Sequence, residues 1–181
     1  MPENSTPRPQ KLRELVLLIR EESRANPTDS KGRFVLAFFR LAQFAHQQGA
    51  GRLLPKITIV LYRFVVCWIM GIELPERTQV GRRLVLHHGV GLVINDGAVL
   101  GNDVILRHGV TIGNNGKTTA SPRVEDGVDI GAGAALIGGI VVGHGARIGA
   151  NAVVLEDVPA LATVAGIPAR VVSRRVAEDS S

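Results

Sequence analysis

The sequence predicts a mainly β protein, a parallel β-helix of six-residue repeats preceded by an N-terminal α-helical region. Two observations predict it. Aliphatic residues recur every six positions, at Ile94, Leu100, Leu106 and Ile112, and again at Val124, Ile130, Leu136, Val142, Ile148 and Val154. The aromatic residues stop at Trp68, whereas nearly all of the 21 glycines follow it. The two halves are built by different rules, helix packing first and tight backbone turns after.

Residues 1–10 are polar and proline-rich and are expected to be disordered. LRELVLLIREE, from Leu12, has the spacing of an amphipathic helix. Asn26-Pro27 and Asp29 mark a break, and GRFVLAFFRLAQFAHQ reads as a second helix, with His46 as a surface or packing histidine. After GAGRLLP a third apolar helix runs to Gly71. Its run ITIVLYRFVVCWIMGI, residues 57–72, is short for a membrane span and contains Arg63. It reads as a buried or interfacial helix, with peripheral membrane contact as the lesser reading.

From residue 73 the repeat takes over. Two places before each register residue stands a second inward position: Ala98, Val104, Val110, Val128, Ala134, Ile140, Ala146 and Ala152. Each hexapeptide supplies one short strand and a turn, and stacked coils bury a core that no single coil could bury. Val80 and Leu86 extend the pattern, and the step of eight from Leu86 to Ile94 leaves two extra residues. GNNGKTTASP, residues 113–122, is too polar for a wall strand and is expected to be an extruded loop. The organisation is thus a helical region over 1–72, a β-helix over 73–158 and a C-terminal segment over 159–181.

Composition narrows the function. The net charge of +5 is not gathered into a basic stripe with aromatics, so a nucleic-acid partner is not expected. The single cysteine, Cys67, excludes an intrachain disulfide and a multi-cysteine zinc site, and no metal is expected. A reducing, cytoplasmic location is expected.

Two of the five histidines, His87 and His88, are adjacent within LVLHHGVGLVINDG. Strand alternation would send them to opposite faces. With three hexapeptides per coil, residues eighteen apart stack. That count places His108, Asp126 and His144 in one outer column, with His88 joining through the two-residue insertion. The same count places Asn114, Ala132 and Ala150 in a neighbouring column.

The segments GIELP, VGRRLVLHHGVGLVINDGAVLGND, VTIGNNGK, VDIGAGA, ARIGANAVV and AGIPARVV, over residues 71–172, resemble the hexapeptide-repeat acyltransferases, and within them the serine acetyltransferase group. The resemblance implies a left-handed coil, a homotrimer with active sites between subunits, and acetyl-CoA as donor. A dimer of trimers is a further option. It implies that His88 is the general base removing the acceptor's hydroxyl proton, and that Glu73, standing where the family has Asp, holds the imidazole. Ala132 and Ala150 match positions whose backbone lines the coenzyme groove, with Gly113 and Asn114 beside it, and Lys117 and Arg147 are candidates for its phosphates. AGIPAR resembles the segment that closes over the coenzyme.

The departures concern the acceptor. Serine acetyltransferases usually carry Asp before the base, where this chain has His87, and Arg-His before the loop-ending proline, where it has Ala120 and Ser121. The groups expected to bind an amino acid are missing. Similar substitutions occur in relatives from bacterial surface-polysaccharide pathways. The sequence therefore favours O-acetylation of a sugar or polysaccharide precursor, with His87, His108 and Ser121 as candidate acceptor-binding residues. The alternatives are a serine O-acetyltransferase of cysteine biosynthesis and a non-catalytic trimeric scaffold.

Overall fold

The computed structural model describes residue 9, residues 11–49 and residues 52–174. The expected disorder over 1–10 falls almost wholly outside these residues, as does the end of the C-terminal tail.

Three helices come first. α1 (Leu12–Ala25) buries Leu15, Leu18 and Glu22. α2 (Ser30–Gln47) starts two residues before the expected point because Asp29 caps it, its Oδ1 accepting the Gly32 N–H at 2.7 Å. α3 (Leu53–Tyr62) continues as a π-helical turn over Arg63–Ile69. The third helix is not buried as a whole. Only Tyr62 and Val66 face the core, while Leu53, Leu54, Val60 and Trp68 are 72%, 76%, 67% and 83% exposed.

The wall strands are β1 (Gln79–Val80), β2 (Val85–His87), β3 (Val93–Ile94), β4 (Val99–Leu100), β5 (Ile105–Arg107), β6 (Thr111–Gly113), β7 (Arg123–Val124), β8 (Asp129–Ile130), β9 (Ala135–Ile137), β10 (Val141–Val142), β11 (Arg147–Ile148) and β12 (Val153–Val154). Every third strand pairs in parallel, making three walls: β1-β4-β7-β10, β2-β5-β8-β11 and β3-β6-β9-β12. Each aliphatic register residue points inward and is buried, from Val80 to Val154. The second wall is extended by β13 (Ala162–Gly166), parallel to β11, and by β14 (Ala169–Arg174), which folds back antiparallel. The Gly-Ile-Pro-Ala segment is the turn of that hairpin.

At several corners the glycine after a register residue is a packing necessity. A Cβ on Gly131 would stand 2.5 Å from the Ala150 nitrogen, and one on Gly143 2.5 Å from the Ala160 nitrogen. The coils are too close at these corners for any side chain.

The helices close the open end of the solenoid. An unpaired first coil would expose strand edges. Asn26 acts as a substitute strand for β2: its Nδ2 donates to the Leu84 carbonyl at 2.9 Å and its Oδ1 accepts the Leu86 N–H at 2.9 Å. Arg40 donates to the carbonyls of Val80 and Gly81, and Gln43 to that of Thr78, along β1. Tyr62 donates to the Leu74 carbonyl at 2.6 Å. Arg40 is itself neutralised by Glu22, both side chains being almost wholly buried.

Candidate functional site

Register corrects the stacking expected from a constant eighteen. Leu86 lies opposite Leu106, twenty residues on, and Ile105 opposite Asp129, twenty-four on. The interval is eighteen where neither insertion intervenes, as in Val93 opposite Thr111 before the loop and Asp129 opposite Arg147 beyond it. The loop thus adds a full hexapeptide to its coil. His88 stacks on His108, His108 on Ala132 and Ala132 on Ala150, at the corner between the second and third walls. Backbone bonds from Gly133 N–H to the His108 carbonyl (3.0 Å) and from Asn151 N–H to the Ala132 carbonyl (2.8 Å) run along it.

Asp126 and His144 do not share that corner. They stand between the first and second walls with Arg82 and Asn102. Asp126 accepts from the Asn102 backbone N–H at 2.8 Å and from its Nδ2 at 3.1 Å, and Asn102 Oδ1 accepts the Arg82 N–H at 2.8 Å. His144 Nδ1 lies 3.0 Å from the Asp126 carbonyl. This is a structural ladder, and the polar column expected from His108 to His144 does not exist. Nor does Asn114 join Ala132 and Ala150. Gly113 lies opposite Ile137, which puts Asn114 beside Gly138 at the third corner, where its Oδ1 accepts the Gly116 N–H at 3.0 Å.

The two histidines also depart from simple alternation. β2 ends at His87, which faces outward and is half-buried. His88 then turns the corner with φ +59° and is exposed, so neither ring enters the core. Non-glycine residues seldom adopt this left-handed conformation, and the corner needs an anchor to hold it. The anchor is Asp29, whose Oδ2 accepts the His88 backbone N–H at 3.0 Å. Partial burial raises the Asp29 pKa, but the Gly32 and His88 amides and the charge of both imidazoles outweigh it and leave the carboxyl below its ordinary value. In the sequence alone Asp29 reads only as part of a break. A cap signal was visible, but its second partner lies 59 residues away.

Glu73 enters the third wall at the same end. Its backbone pairs with Val93, donating to Leu92 at 2.8 Å and accepting from Ile94 at 2.8 Å. Its side chain faces a cleft of roughly 570 Å³ lined by Arg63, Cys67, Trp68 and Pro75. Burial and then the Glu73 charge push the Cys67 thiol pKa up. Arg63 pairs with Glu76 at 2.6 Å on the cleft rim. Among the described residues no hydrogen bond or ion pair joins Glu73 to His88. The fold brings both to one end of the solenoid without joining their side chains.

The other candidates separate. Ser121 donates to Asn95 Oδ1 at 3.0 Å and fastens the returning loop to the preceding coil. Lys117 is exposed near the loop tip, where its N–H donates to Asn115 Oδ1 at 3.0 Å. Arg147 is exposed on the second wall, opposite Asp129 and Thr163. The Gly113 carbonyl accepts the Gly138 N–H at 2.9 Å. The described residues contain no cluster of three or more histidine, cysteine or acidic side chains fit to hold a metal.

No family model matches the chain. Individual relatives do. It is 36% identical over 156 residues to the putative colanic acid biosynthesis acetyltransferase WcaB of Escherichia coli K12, covering 83% of this chain and 96% of that one. It is 46% identical over 66 residues to the serine acetyltransferase of Haemophilus influenzae, where the match spans 25% of that longer protein. The serine acetyltransferase of Brucella abortus S19 superposes with a TM-score of 0.79 at 30% identity, over 91% of this chain and 71% of that one. A structure of the same enzyme in complex with coenzyme A superposes equally well, with a TM-score of 0.79. The chain belongs to the hexapeptide-repeat acyltransferases, in their serine acetyltransferase-like group.

Proposed function

We propose that the protein is an acetyl-CoA-dependent O-acetyltransferase acting on a hydroxyl of a sugar or surface-polysaccharide precursor. The observation that carries this is the match to WcaB over 83% of this chain and 96% of that one, whereas the match to the Haemophilus serine acetyltransferase covers only a quarter of that protein. The site is compatible with it. His88 is exposed at a corner held rigid by Asp29, and His108 stands one coil away.

In the proposed reaction the acceptor hydroxyl gives its proton to the His88 imidazole as its oxygen attacks the thioester carbonyl. The new C–O bond forms, the C–S bond breaks, and the proton passes to the leaving coenzyme A thiolate. Glu73, at the same end of the solenoid, is the acidic group proposed to stabilise the imidazolium. His87 and His108 contact the acceptor. The backbone at Ala132 and Ala150 lies along the pantetheine. Gly113, Asn114 and Lys117 reach the coenzyme from the loop of a neighbouring subunit in a homotrimer, and Arg147 meets its phosphates.

Serine is the second reading, favoured by structural neighbours such as soybean serine acetyltransferase complexed with serine, at a TM-score of 0.76. Thiol release from acetyl-CoA, measured with L-serine, nucleotide sugars and oligosaccharides, separates the two. The expected result is turnover with a saccharide, none with serine, and loss of it in His88→Ala. Turnover with serine alone would replace the first reading by the second.

A further inference from the structure

The third helix leaves an apolar face on the outside of the molecule. Leu53, Ile57, Val60, Leu61 and Phe64 recur at the three- and four-residue spacing of one helical face, and each is at least 50% exposed. Trp68, 83% exposed, continues it through the π-helical turn. The opposite side of the helix, through Tyr62 and Val66, is fully buried. Contiguous apolar surface of this kind marks an interaction site.

Charge identifies the occupant. From Ser30 to Ile72 the chain carries no Asp or Glu, and six cations: Lys31, Arg33, Arg40, Arg52, Lys56 and Arg63. Arg52, Lys56 and Arg63, four and seven residues apart, run along one flank of the apolar face, and all three are exposed. The helix carries no acid of its own; Arg63 is paired with Glu76 and Glu73 lines the cleft beside Trp68, so Arg52 and Lys56 are the cations that flank the apolar face, the pattern of a helix lying in a membrane interface. Such cations are attracted to anionic headgroups. No described helix is long and apolar enough to cross a membrane, so the contact is with the surface.

We propose that the exposed face of the third helix docks the protein on a bilayer surface containing anionic lipid. The helix lies in the interface plane, with Trp68 at the headgroup level and Arg52 and Lys56 over lipid phosphates. The inference does not depend on the reaction proposed above.

The test uses the full chain and vesicles of phosphatidylcholine with or without phosphatidylglycerol. Flotation is expected with the anionic vesicles and is expected to weaken with added salt. Trp68 is the only tryptophan, so fluorescence reports on this face directly. Its emission is expected to move to shorter wavelength on binding and to be quenched by brominated lipid. A Leu53→Ser, Leu54→Ser, Val60→Ser variant, altered only at highly exposed positions, is expected to bind about tenfold more weakly or worse. Arg52→Ser with Lys56→Ser is expected to lose the preference for anionic lipid. Failure to float with anionic vesicles at low salt overturns the proposal. So does flotation without quenching of Trp68, which would place contact elsewhere. A triple variant that changes the oligomeric mass while vesicle binding is absent would assign the face to a subunit contact instead.

Discussion

Asp29 holds the His88 corner from outside the solenoid. One carboxylate oxygen caps α2 through Gly32, and the other accepts the His88 backbone N–H at 3.0 Å. A helix start and a left-handed corner, 59 residues apart in sequence, are fixed by one side chain. Asp29→Ala is expected to cost roughly 0.5–2 kcal/mol for the lost cap, read as a lower unfolding midpoint. It is also expected to reduce kcat more than it raises KM, because it frees the ring rather than removing a contact to substrate. Asp29→Asn keeps one accepting oxygen of the two, so it should restore either the cap or the corner bond and fall between Asp29→Ala and the wild type.

The same carboxyl gives a direction in pH. Burial, the largest single effect, pushes its pKa up, but the Gly32 and His88 amides and the two imidazoles together outweigh it, so the folded pKa lies below the ordinary 3.8. The unfolded chain therefore binds more protons than the folded one below about pH 4. Asp29 contributes its stability above that pH and loses it as pH falls through the folded value. Thermal unfolding followed from pH 6 to pH 2 should show a shallower acid decline in Asp29→Asn than in the wild type.

His88 is expected to matter for chemistry and not for folding. It is exposed and has φ +59°, so its ring holds up nothing. His88→Ala should lower acetyl transfer about 10²–10⁴-fold, the range for a general base. His88→Gly should match it in activity. Relief of the left-handed strain, roughly 1–2 kcal/mol, should offset glycine's greater unfolded entropy, leaving the melting temperature close to wild type. A fall in melting temperature as large as that from a core substitution would place His88 in the framework instead.

The glycines divide in a testable way. Gly131 has no room for a Cβ, which would lie 2.5 Å from the Ala150 nitrogen. Gly116, in the loop, has φ +71° and nothing within 4 Å. Gly131→Ala should force two coils apart and cost about 1–3 kcal/mol or more. Gly116→Ala should cost only its backbone strain, about 1 kcal/mol. Paired denaturant titrations would separate them.

How much of this could be read from the sequence depends on the range of the interaction. The six-residue period is local, so the inward set from Val80 to Val154 could be named residue by residue, and all of it is buried. Stacking is not local. The loop after Gly113 contains a whole extra hexapeptide, and an uninterrupted count of eighteen therefore moved His108 to the wrong corner. Polar side chains with distant partners, such as Asn26 at Leu84 and Leu86, carry no periodic signal at all. For the third helix the sequence allows both a buried and an interfacial reading, because hydrophobicity alone does not say whether a face is covered.

The buried Arg40–Glu22 pair offers the sharpest test of the helical cap. Arg40 donates to Glu22 Oε1, to Gln43 Oε1 and to two carbonyls at the edge of β1. Arg40→Met removes those donors and strands a buried carboxylate, and breaking such a pair typically costs about 3–5 kcal/mol. Burial already raises the Glu22 pKa above 4.5, with Arg40 acting against it. Without Arg40 the pKa should rise further. The folded state then binds a proton that the unfolded state releases, so stability falls as pH climbs from about 4.5 through the folded value. Arg40→Met should therefore melt lower than the wild type, and increasingly so between pH 5 and pH 8. Adding Glu22→Gln should remove that pH slope and recover part of the loss, because the stranded charge is gone while the β1 carbonyls remain without their donor. A pH-independent loss in Arg40→Met would instead assign the whole cost to those carbonyls.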